Sequence, residues 1–131
     1  MENQLQIIGG ALLLLALLHS VFPNYFKWKE ELRPLSLINR QMMYIHSFFI
    51  AMTVFGMGLL CLFFSHELVS TRLGRALCLG LGVFWTTRLV IQFFGYSPKN
   101  WRGKGFETMV HVLFVLFWGY LSVVFWVIAG K

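Results

Sequence analysis

The segment VFWTTRLVIQFFGY, residues 83–96, decides how this chain is read. It lies in an apolar run long enough to cross a bilayer, yet it carries Arg88 and, one helical turn on, Gln92. An arginine inside a membrane span costs at least ~2.5–3.5 kcal/mol, so it turns to protein or water and needs a partner. His19, His46, Glu107 and His111 are the candidates that the rest of the chain offers.

Composition agrees with a membrane setting. Of 131 residues, 58% are hydrophobic and only 12% charged, about half the charged share of a soluble domain, and a chain this short cannot hide that much apolar surface from water. The formal net charge of +6 could indicate nucleic acid. The basic residues flank apolar runs instead of forming one cluster, so the lipid bilayer is the expected partner and nucleic acid is not. Met1-Glu2-Asn3-Gln4 lacks the positive start of a signal peptide, and the first apolar run is expected to be retained.

The pattern predicts an all-α, polytopic membrane protein, one domain built as a bundle of four transmembrane helices. The spans are expected at about 5–22, 41–64, 75–94 and 106–129. Pro23 closes the first because proline has no N–H to continue the ladder. Residues 25–40 form a polar, aromatic connector, either a short interfacial helix with Tyr25, Phe26 and Trp28 as anchors or an irregular loop. Ser36 is the expected N-cap of the second span. Residues 65–72 and 96–105 make the remaining turns.

Lysine and arginine set the orientation. Connectors one and three hold Lys27, Lys29, Arg33, Arg40, Lys99, Arg102 and Lys104, against Arg72, Arg75 and Lys131 on the other side. That asymmetry places both connectors in the cytoplasm and both termini outside, in the cell inner (plasma) membrane. Gly9-Gly10, Gly56-x-Gly58 and Gly80-x-Gly82 are candidate points of close helix approach, and a homodimer is a plausible assembly.

Depth gathers the unusual residues. Counted from the expected cytoplasmic ends at ~1.5 Å per residue, His19, His46, Arg88, Gln92, Glu107 and His111 all lie within ~10 Å of one membrane face. Arg88 and Gln92 are i, i+4, as are Glu107 and His111, so the third and fourth spans can meet through those faces.

Two functional readings follow. His19, His46, Glu107 and His111 would form three imidazoles and a carboxylate for a transition metal, or two of the histidines would ligate a b-type haem in a redox or membrane-chemistry role. Arg88 and Gln92 would then support the ligands or bind propionates, with Asn39, Arg40 and Gln41 just below as further head-group contacts. Alternatively, an Arg88–Glu107 ion pair with titrating histidines suits a proton-linked small transporter or an anionic-lipid-binding subunit. The third possibility is an accessory protein whose polar layer only holds helices together. No P-loop, GxSxG or HExxH motif is present, and no catalytic residue is assigned. Cys61 and Cys78 share a depth at the outer end, where small apolar packing is the expected role.

Overall fold

The computed structural model describes residues 2–95 and 105–130, and every element among them is helical. The order is α1 (Glu2–Leu18), α2 (Phe22–Tyr25), α3 (Trp28–Glu31), α4 (Leu37–Phe63), α5 (Ser65–Ser70), α6 (Arg72–Phe94) and α7 (Gly105–Ala129). Three of these, α4, α6 and α7, are long and apolar enough to cross a membrane. The expected turn at 96–105, with Lys99, Arg102 and Lys104, lies outside the described residues except for Gly105.

α1 ends a turn before Pro23. His19, Ser20 and Val21 bond the carbonyls of Ala16, Leu17 and Leu18 at 3.0–3.2 Å, an i→i−3 pattern that tightens the last turn. Pro23 instead opens α2, where its missing N–H costs nothing. The 17 residues of α1 span ~26 Å, a little under the ~30 Å hydrocarbon thickness. The connector resolves into two single-turn helices joined at Lys27, whose φ of 54° is left-handed. α4 begins at Leu37, capped as expected by the Ser36 hydroxyl, which accepts from Asn39 N at 3.4 Å. Thr71 caps α6 in the same way, accepting from Gly74 N at 2.9 Å. The α5–α6 corner is so close that a Cβ on Gly74 would strike Glu67 O.

Contacts divide the chain into two compact units, Glu2–Ser65 and His66–Lys131. In the first, α1 packs along α4; in the second, α6 packs along α7. Both pairs run antiparallel, as their contacts descend one helix while climbing the other. Leu5, Ile8 and Leu12 of α1 and Cys61 of α4 are fully buried in the first unit. Cys78, Trp85, Leu121, Phe125 and Ile128 form the core of the second. Cys61 and Cys78 form no disulfide.

One glycine of each expected pair serves the packing and the other does not. A Cβ on Gly9 would lie 2.8 Å from Gly58 O, and one on Gly58 would lie 2.9 Å from Gly9 O. A Cβ on Gly82 would rest at 3.4 Å against the Trp126 ring. Gly10, Gly56 and Gly80 have nothing within 4 Å. Alanine in an open helical position gains up to ~1 kcal/mol of propensity, whereas forcing a backbone contact apart typically costs ~1–3 kcal/mol. Gly9→Ala and Gly58→Ala are therefore expected to lower thermal stability in detergent, and Gly10→Ala and Gly56→Ala to preserve or raise it. Equal effects at all four positions would contradict the close crossing.

Candidate functional site

Trp118, 4% exposed, is the centre of the α6–α7 pair. Trp85 stacks on it at 5.1 Å between centroids and 12° between planes. Phe114 and Phe117 of its own helix lie nearly parallel to it at 5.3 and 5.2 Å. Arg88 places its guanidinium carbon 5.5 Å from the centroid of the Trp118 ring. That is within cation–π range, and such a contact is worth ~2 kcal/mol or more when desolvated. An aromatic ring thus supports the half-buried arginine.

The amide of Gln92 ties the two helices together. Its Nε2 lies 2.8 Å from His111 Nδ1, and the Trp118 indole Nε1 donates to its Oε1 at 3.4 Å. An indole N–H can only donate, so the amide oxygen faces Trp118 and the amide N–H₂ donates to His111. Nδ1 of His111 is consequently the acceptor, and a neutral ring carries its proton on Nε2. Gln92 is 7% exposed, so each bond of this chain replaces one that water cannot supply.

The structure brings Arg88, Gln92 and His111 into one hairpin, as their i, i+4 spacing predicts, but Glu107 stands apart. Glu107 lies in the first turn of α7, where a carboxylate is favoured by the helix N-terminus, and it forms no ion pair with Arg88 among the described residues. His19 and His46 belong to the other unit. Each points Nδ1 at the carbonyl four residues back, His19 to Leu15 at 2.9 Å and His46 to Met42 at 2.8 Å. A carbonyl only accepts, so Nδ1 carries the proton in both.

The expected four-ligand set His19, His46, Glu107 and His111 is not gathered. Among the described residues no three His, Cys, Asp or Glu side chains converge as a metal would require. Asn39 and Gln41 are exposed and Arg40 half-buried at the start of α4. No motif or charge in the sequence marks Trp118. Its double role is visible in retrospect from its place one helix across from both Arg88 and Gln92.

Two open grooves accompany these residues. One of about 440 Å³ runs along α6, lined by Gly80, Val83, Phe84, Thr87, Arg88 and Ile91. The other, of about 220 Å³, lies where α1 and α4 meet the connector, beside His19, Trp28, Tyr44 and Ser47.

The hydrogen-bond chain predicts a specific proton position. In ¹⁵N spectra of the detergent-solubilised chain, neutral His111 is expected as the Nε2–H tautomer. Gln92→Glu should move the proton to Nδ1, because a carboxylate only accepts. Finding Nδ1–H in the unsubstituted chain would contradict the orientation of the amide.

No protein-family model, curated protein or solved structure matches this chain, so its chemistry is argued from its own residues.

Proposed function

We propose that the chain is a four-span membrane protein that binds an anionic amphiphile, with the acidic head group on Arg88 and an acyl chain along the α6 groove. The observation that carries this reading is Arg88 on the Trp118 ring at the edge of an apolar groove. All six residues that line it belong to α6, so it is an open helix face along which a chain can lie. Val83, Phe84 and Ile91 offer an acyl chain apolar walls, and Gly80 leaves one end of the groove open. The Thr87 hydroxyl is spent on Val83 O at 2.8 Å, and the guanidinium carries the positive charge that attracts an acidic head group. Its five N–H groups lie in a planar fork suited to phosphate or carboxylate, and the indole ring centroid lies 5.5 Å from its central carbon.

In this reading α1 is the fourth span beside α4, α6 and α7. The connector between α1 and α4 and the turn between α6 and α7 face the cytoplasm of a cell inner membrane, with both termini outside. The lysines and arginines of those segments support that direction, and they would concentrate anionic lipid at the same face.

A haem or metal role retains one specific support. The Nδ1–H bonds of His19 and His46 to backbone carbonyls are the arrangement that leaves Nε2 to ligate iron or zinc. His111 lacks it, because its Nδ1 accepts from Gln92. A Soret band or stoichiometric metal in purified protein would favour that role, and a colourless, metal-free preparation would retire it.

Two measurements test the main reading. In native mass spectrometry from an equal mixture of phosphatidylglycerol and phosphatidylcholine, the chain should retain the anionic lipid. Arg88→Gln should reduce that preference by about tenfold or more, the worth of a charge-assisted hydrogen bond. Equal retention of both lipids, or no effect of Arg88→Gln, would contradict it. For orientation, alkaline phosphatase fused after Lys131 should be active in intact cells, and an inactive fusion of normal abundance would reverse the assignment.

A further inference from the structure

The smaller groove, in the α1–α4 unit, has a chemistry of its own. His19, in the turn that follows α1, lines one side of it, Tyr44 and Ser47 of α4 line another, and Trp28 of α3 lies at the connector end. Phe48, Ala16 and Ala51 continue it as an apolar floor. Trp28 meets Tyr44 edge to face at 5.5 Å, which fixes the aromatic wall. Among the described residues, His19 Nε2, the Tyr44 hydroxyl and the Ser47 hydroxyl have no hydrogen-bond partner.

The Ser47 hydroxyl points to an occupant. Hydroxyls within apolar helices usually return to the carbonyl four residues back. Thr53, Thr87 and Ser122 all do so at 2.8 Å. The Ser47 hydroxyl does not, and it stands across the groove from a histidine whose orientation is fixed by its Leu15 bond. Three unspent polar groups on two sides of the groove, over an apolar floor, fit a molecule with oxygen atoms on opposite edges and an apolar body.

We propose that this groove binds the ring of an isoprenoid quinone or quinol, with its oxygens between His19 and the Tyr44–Ser47 pair and its tail along Ala16 and Ala51. Three observations select this class. Among the described residues the lining holds no Lys, Arg, Asp or Glu, unlike the Arg88 groove, so a neutral head group is favoured over a phosphate. The rings of Trp28, Tyr44 and Phe48 offer faces and edges to a flat molecule. The open space of about 220 Å³ suits one ring, and the tail runs on past Ala16 and Ala51 into lipid. This inference is independent of the amphiphile on Arg88, which lies in the other unit.

The test uses the full chain in phosphatidylcholine nanodiscs and an azido-benzoquinone with a short alkyl tail as photoprobe. Labelling should saturate at one probe per chain, map to the peptides carrying His19 and residues 44–51, and be competed by decyl-benzoquinone. Ser47→Phe, which fills the groove, should abolish it. Should Ser47→Phe fail to fold, Tyr44→Phe removes a single hydroxyl and should weaken competition about three- to tenfold. Labelling that never saturates, that ignores both substitutions, or that diacylglycerol or a sterol competes equally well would overturn the proposal. So would a Soret band lost in His19→Leu, because haem would then occupy the same Nε2.

Discussion

A guanidinium in a helix of bilayer length must be compensated by its own protein or by the head-group region, and here Trp118 contributes to the protein's share. The Arg88–Trp118 contact constrains much of what surrounds it. It requires α7 to run against α6 in one register, since Gln92 must then meet His111 a turn further on. It also requires a flat, buried indole, which the stacked rings of Trp85, Phe114 and Phe117 hold in place. The same indole spends its only N–H on Gln92. One side chain therefore couples the charge, the amide and the imidazole of the hairpin. Trp85 Nε1 is buried with no partner, an expense typical of an aromatic chosen for its ring face.

The two helix pairs solve packing differently. α1 and α4 approach backbone to backbone at Gly9 and Gly58, so their contact depends on missing side chains. α6 and α7 are held apart by indoles and joined through polar bonds, including Trp126 Nε1 to Thr86 Oγ1 at 2.8 Å. Their grooves differ accordingly. The groove along α6 displays one fixed charge among aliphatic and aromatic walls, and that pattern suits an acid on a chain. The groove by the connector displays neutral donors and acceptors between rings. Size, charge and hydrogen-bonding capacity separate the two.

Much of the fold was legible because it follows from local physics. Apolar runs gave the long helices, Ser36 marked the start of α4, and the i, i+4 spacings of Arg88 with Gln92 and Glu107 with His111 brought Gln92 to His111. Pro23 misled slightly: α1 had already unwound at Leu18 through i→i−3 bonds that leave no strong sequence mark. The site was harder to read. Shared depth treated every polar residue alike, whereas hydrogen-bond direction separates them. His19 and His46 donate through Nδ1, and His111 accepts there. As partners for Arg88 the sequence offers three histidines and one glutamate, since titratable and acidic groups are the simplest compensation. A tryptophan was overlooked because its quadrupole is not visible in a count of charges.

The most direct measurement is whether the Arg88 guanidinium carbon lies beside lipid phosphorus in a bilayer. ¹³C–³¹P dipolar recoupling on arginine-labelled chain in phosphatidylglycerol vesicles reports this, with Arg88→Lys identifying the Arg88 signal by subtraction. The account predicts that the Arg88 Cζ signal dephases strongly, at a chemical shift displaced by the Trp118 ring current. An Arg88 signal that persists undephased among anionic lipids would contradict the proposed binding role and leave the arginine as a structural contact alone.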